Sequence, residues 1–113
     1  MNIKALAKEH PESREVLRKL ESLLKKHRPG SVITPKELAR NVPVDAKALS
    51  DALTLLIDAG VLRQVYKVTT PSGVLTEEEF DDPRQIPEQL SDMWEHHFDT
   101  AESDIVPVFK RVA

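Results

Sequence analysis

Ile33-Thr34-Pro35-Lys36-Glu37-Leu38-Ala39, then Val44-Asp45-Ala46-Lys47-Ala48-Leu49, then Leu55-Leu56-Ile57-Asp58-Ala59-Gly60-Val61-Leu62 form the stretch that decides the fold. In the first piece, Thr34 and Glu37 stand three residues apart around Pro35. That is the pattern of a capping box with proline at the first helical position. It predicts a helix from about Pro35 to Asn41, with Leu38 and Ala39 turned inward. Asp45 caps the next helix, which runs to about Ala59 with Leu49, Ala52, Leu53, Leu56 and Ile57 as its apolar stripe. Gly60 ends it, because glycine takes the left-handed cap at no steric cost. Pro43 occupies the turn between the two helices and is barred from positive φ, so the first of them is expected to end near Asn41, which tolerates that conformation.

Upstream, Ile3, Leu6 and Ala7 suggest a short helical lead-in that stops before Pro11. Val16, Leu17, Leu20, Leu23, Leu24 and His27 recur at three- and four-residue spacing and predict a first main helix from about Pro11 to His27. Pro29-Gly30 stops it, and Ser31-Val32-Ile33 reads as a short extended piece. Downstream, Val61 to Thr69 reads as a strand, Pro71-Ser72-Gly73 as a turn, and Val74 to Phe80 as the returning strand of a hairpin. After a loop, Leu90, Met93, Trp94, His97 and Phe98 predict a fourth helix starting near Pro87. The end, Ile105 to Val112, reads as a strand that Pro107 confines to a sheet edge. The expected fold class is thus mainly α with a small antiparallel β-hairpin. Residues 1–80 make the domain, and residues 81–113 an acidic loop, amphipathic helix and edge strand packed on it.

The order helix, short strand, helix, turn, helix, hairpin, with the three pieces quoted above, resembles the winged helix-turn-helix superfamily over about residues 11–80. Residues 81–113 resemble no family. The resemblance implies that Asp45 to Ala59 lies in the position of a recognition helix. It is nearly silent on function, since members bind DNA or proteins on the same scaffold. Pro43 is a departure, because such proteins commonly place glycine in that turn.

The chain has 113 residues, 40% hydrophobic and 31% charged, as suits one globular domain. No apolar run approaches the roughly 20 residues of a membrane span. Met1-Asn2-Ile3-Lys4 lacks the apolar stretch of a secretory leader, so a cytoplasmic location is expected. With no cysteine, disulfides and thiolate metal sites are excluded. Residues 1–40 hold ten Lys/Arg against five Asp/Glu, a net of +5, and residues 41–113 six against fourteen, a net of −8. Such asymmetry marks surfaces for different partners, or two halves that face each other, or charges that are merely solvated.

A DNA-binding winged helix needs cations on its reading helix and wing. The third helix offers Lys47 alone against Asp45, Asp51 and Asp58, and the wing tip Thr69 to Gly73 is uncharged. The outward residues Ala46, Lys47, Ser50, Asp51 and Thr54 include none of the arginine, asparagine or glutamine that commonly read base edges. Lys36, Arg40, Lys47, Ser50, Thr54 and Lys67 are the residues that would touch nucleic acid, and Arg63 also lies on the wing stem. Most cations lie instead on the first helix, which serves as scaffold behind a reading helix. The expected function is therefore a non-enzymatic module that binds a protein partner or a second copy of itself, as an adaptor or accessory subunit. A DNA-binding regulator is the alternative.

Glu77, Glu78, Glu79, Asp81 and Asp82 could dock on a basic partner or form a solvated edge. Met93, Trp94 and Phe98 either pack as core or form an interface, with Trp94 assigned to the core side. His96-His97 tempts a metal reading, but adjacent helical residues point about 100° apart, and His97 falls on the apolar face. With three glycines there is no phosphate-cradling loop, and no serine sits in a nucleophile elbow. No cofactor, metal or catalytic residue is expected.

Overall fold

The computed structural model describes residues 3–92, 94–101 and 104–112. Among them are four α-helices and five strands: α1 (Ile3–Glu9), α2 (Arg14–Leu24), β1 (Val32–Ile33), α3 (Pro35–Asn41), α4 (Ala46–Asp58), β2 (Leu62–Val68), β3 (Gln89–Ser91), β4 (His97–Asp99) and β5 (Ile105–Arg111). The protein is mixed α/β, with a three-stranded antiparallel sheet in the order β1-β5-β2 and a separate β3-β4 pair. This overturns the expected mainly α class with one small hairpin and a C-terminal helical extension. The chain forms two compact units, Met1–Arg63 with Phe109–Ala113, and Gln64–Val108.

In the first unit the amphipathic stripes do the packing. Val16, Leu17, Leu20, Leu23 and Leu24 of α2 are buried with Ile3 and Ala7 of α1, Leu38 of α3, and Ala52, Leu53 and Leu56 of α4 in one apolar core. The helix expected from Pro11 to His27 is shorter at both ends. Pro11–Ser13 is a 3-10 turn. At the far end, Lys26 N bonds Leu23 O and His27 N bonds Leu24 O, the tighter spacing of a closing turn.

Thr34 caps α3 as its sequence demands, its hydroxyl accepting from Glu37 N at 3.2 Å. The Glu37 side chain does not complete the box. It meets His27 Nε2 at 2.7 Å and ties the end of α2 to the start of α3. Asp45 caps α4 by accepting from Ala48 N. Two local expectations fail here. Ala39 is exposed, because one residue past the buried Leu38 a helix has turned about 100°. α3 ends at Asn41 as expected, but Asn41 is not left-handed; the cap is Val42 at φ −128°, whose side chain is buried, and Asn41 Nδ2 donates back to Glu37 O.

β5 is the middle strand, not the edge expected from Pro107. Its odd-numbered N–H groups point towards β1, since Arg111 N donates to Ser31 O. Its even-numbered ones point towards β2, since Val112 N donates to Val61 O. β1 pairs only with Phe109 and Lys110, so the donor that Pro107 lacks would fall beyond β1's end. No ladder bond is lost.

In the second unit, Val74 to Phe80 does not form the expected continuous return strand. It touches the outgoing chain in two isolated bridges, Thr69↔Leu75 and Tyr66↔Phe80. Between them Lys67 and Val68 face Thr76, Glu77, Glu78 and Glu79, so the ladder cannot stay in register. Thr76 Oγ1 accepts from Val68 N at 3.2 Å, where a backbone carbonyl would have stood in a regular strand.

The fourth helix does not form. Leu90 and Phe98 instead face each other across the β3-β4 pair, with Gln89↔Asp99 and Ser91↔His97 beside them. Gln89 Nε2 donates to Asp99 Oδ1 at 3.1 Å, and Ser91 Oγ lies 3.1 Å from His97 Nδ1, so both outward cross-strand pairs are bonded. His97 is exposed and not part of a core. Trp94, expected in the core, is 60% exposed at the hairpin tip.

Arg111 joins the sheet to the helices of the first unit. Its Nη1 donates to Leu24 O at 3.1 Å and to His27 O, two carbonyls at the close of α2, the first of which also accepts from His27 N. Arg111→Ala is expected to lower unfolding free energy by about 1.5–3 kcal/mol in urea melts, as for lost bonds from a charged donor. Arg111→Lys should recover only part, since both bonds leave the one nitrogen Nη1, whose place at the end of the planar guanidinium an ammonium does not reproduce. A loss below about 0.5 kcal/mol for the alanine variant would refute this role.

Candidate functional site

The segment 70–78 and the β3-β4 turn of the second unit enclose a hollow of about 220 Å³. Its order begins with hydroxyl groups. Thr70 is buried, and its Oγ1 accepts from Val74 N at 3.2 Å and lies 2.9 Å from Ser72 Oγ. Gly73 takes φ 88° in that turn, a value that L side chains rarely adopt. Thr76 is also buried, and its Oγ1 donates to Glu78 O at 3.3 Å. These bonds fix the backbone around Glu77 and Glu78, which line the hollow.

On the other side stands the turn of the β3-β4 hairpin. Asp92 Oδ1 accepts from Trp94 N and His96 N, both at 2.9 Å. Asp92 N donates to His96 O, and Glu95 N to Asp92 O. Glu95 takes φ 62°, the one non-glycine residue with positive φ among the described residues. The carboxylate of Asp92 thus supplies, at Oδ1, the acceptor that fixes the turn from which Trp94 stands exposed. Its other oxygen lies 3.5 Å from His96 Nδ1.

Glu77, Glu78, Asp92 and Trp94 all line the hollow, with Val74 and Leu75 as apolar wall, and no cation lines it among the described residues. Glu77 and Glu78 are exposed. A hollow lined by three acidic residues and an indole favours a cationic occupant. A ring face attracts cations through its quadrupole, and carboxylates add charge-assisted hydrogen bonds, bidentate to a guanidinium.

Of the residues assigned to a partner surface from sequence, three therefore come together: Glu77, Glu78 and Trp94. Glu79 and Asp81 are exposed but do not line the hollow. Asp82 is engaged elsewhere. It caps the 3-10 turn Pro83–Gln85 and meets Arg84 Nη2 at 2.7 Å. Hydrogen bonds from the Arg84 side chain, then its backbone N–H, hold the Asp82 carboxyl down to about 2. Phe98 is half-buried opposite Leu90, and Met93 lies outside the described residues. Sequence reasoning missed Asp92, Thr70 and Thr76. The signal for Asp92 was an aspartate two residues before Trp94, the spacing at which its side chain caps a turn.

The residues assigned to nucleic acid are divided. Lys36, Arg40, Lys47, Ser50 and Thr54 are exposed on α3 and α4 of the first unit, beside the exposed Asp51 and Asp58. Thr54 Oγ1 is bonded back to Ser50 O. Lys67 is half-buried on β2 in the second unit. Among the described residues, no helix is long and apolar enough to cross a membrane. Comparison with protein-family models, curated proteins and solved structures gives no significant match.

Asp92→Ala removes the one oxygen that accepts two hydrogen bonds in the turn and is expected to cost about 1–2 kcal/mol, the scale of a lost cap. Asp92→Asn keeps an acceptor oxygen and should recover most of it. Amide exchange at Trp94 and His96 reads the effect directly. If exchange at these two amides is as slow in the alanine variant as in the wild type, Asp92 does not hold the turn.

Proposed function

We propose that the chain is a non-enzymatic cytoplasmic binding module that holds a protein partner, or a second copy of itself, by a basic side chain seated in the acidic hollow beside Trp94. The observation that carries this reading is the meeting of Glu77, Glu78 and Asp92 around an indole that is 60% exposed. Tryptophan and arginine are the residue types most enriched among binding hot spots. The hollow offers the first and fits the second. An arginine seated there would lay its guanidinium against the ring and direct its N–H groups at the two glutamates. The order of elements from α2 to β2 supports a winged-helix relationship for residues 11–80, a scaffold that serves as a binding module in many settings.

The test is fluorescence anisotropy with a labelled peptide of alternating arginine and glycine. Trp94→Ala is expected to weaken binding about thirtyfold, the size of a hot-spot loss, while leaving the melting temperature nearly unchanged because the side chain is exposed. The pair Glu77→Gln and Glu78→Gln should weaken it further and flatten its salt dependence. Equal binding by wild type and both variants would refute the reading. A nanomolar, sequence-dependent duplex DNA shift abolished by Lys47→Ala would instead favour a DNA-binding regulator that uses Lys36, Arg40, Lys47, Ser50, Thr54 and Lys67.

A further inference from the structure

The first unit carries a second concave feature of opposite sign. A groove of about 690 Å³ runs between α1 and α2. Lys4 and Lys8 stand one turn apart along its α1 side, and Arg14 and Arg18 one turn apart along its α2 side. All four are exposed, and none has a carboxylate within ion-pair distance among the described residues. Among the described residues the one acidic residue lining the groove, Glu21, lies 3.9 Å from Lys25 at the same groove. Elsewhere on α2 the usual remedy is present, since Glu15 faces Lys19 at 3.7 Å. The four cations of the groove are left unopposed, although like charges held together work against the compact state.

Between the charged rims the floor is apolar. Ile3 and Ala7 line it, 2% and 8% exposed, with Pro11 beside them. That combination discriminates between polyanions. A duplex presents a convex, wholly charged backbone and gains nothing from an apolar cleft. A single strand needs aromatic faces on which to stack bases, and no aromatic residue lines this groove among the described residues. A peptide with an apolar side chain between carboxylates matches both parts, the side chain to the floor and the carboxylates to the rims.

We infer that the α1-α2 groove is a docking site for an acidic peptide segment of a partner protein, anchored by one apolar side chain and flanked by Asp/Glu residues paired to Lys4, Lys8, Arg14 and Arg18. The site is independent of the hollow beside Trp94, and neither needs the other to be occupied.

The test uses the full chain and a fluorescein-labelled peptide of aspartates and glutamates around one central leucine. Anisotropy should show saturable binding that weakens at least about tenfold when salt rises from about 50 to about 200 mM, as surface charge is screened. The double variant Arg14→Gln, Arg18→Gln should lose at least about tenfold in affinity. It should keep the wild-type circular dichroism and melting temperature, because both side chains are exposed. A peptide with serine in place of the leucine should bind measurably more weakly. Trp94→Ala should leave this binding unchanged, which separates the groove from the hollow. No binding, equal binding by the double variant, or equal binding of the serine peptide would overturn the inference. Tighter binding of duplex DNA, lost in the same double variant, would overturn it in favour of nucleic acid.

Discussion

Between Val32-Ile33 on one side and Leu62–Val68 on the other runs β5, and its backbone groups serve both neighbours. β1 is two residues long and has no other partner in the sheet. Its extended conformation, and the entry into the capped helix α3 that follows, therefore depend on residues that arrive almost eighty positions later. The same strand ends in Arg111, whose guanidinium supplies donors to the carbonyls at the close of α2. Its backbone also exchanges bonds with Gly30 and Ser31. Pairings of such large sequence separation cost loop-closure entropy before they return any energy.

The helices were legible because their signals are local. Thr34 and Asp45 sit at caps, Gly60 takes φ 76° at the end of α4, and the α2 stripe faces one core. The strands were not, because their causes are distant. Leu90, Trp94, His97 and Phe98 satisfy helical spacing, yet Leu90 and Phe98 satisfy a hairpin register equally well. What decides between them is Asp92, which gives its carboxylate to two turn amides. A periodicity count cannot weigh such a bond. Pro107 was read by a general rule about edges, and the rule fails here because β1 is too short to need the donor that proline lacks. The acidic run was legible as charge, but not its division. Asp82 is bound to Arg84, while Glu77 and Glu78 turn to the hollow because the chain between two bridges carries more residues than the strand opposite.

The charge asymmetry of the sequence acquires a physical location in each unit. Excess cations of residues 1–40 gather along the α1-α2 groove, and part of the later acidic excess gathers beside Trp94. Both features pair an excess of one charge with apolar surface. Charge steers a partner and sets its register, and apolar burial supplies much of the affinity.

The central claim is that the hollow beside Trp94 takes a cationic side chain. The most direct measurement is a two-dimensional amide NMR titration with N-acetyl-arginine amide, run beside the uncharged N-acetyl-citrulline amide. Saturable shifts at the Trp94 indole N–H and at the Glu77 and Glu78 amides, given by the arginine compound and not by citrulline, are the predicted result. Shifts of equal size from both compounds, or arginine-specific shifts confined to residues outside the hollow, would contradict it.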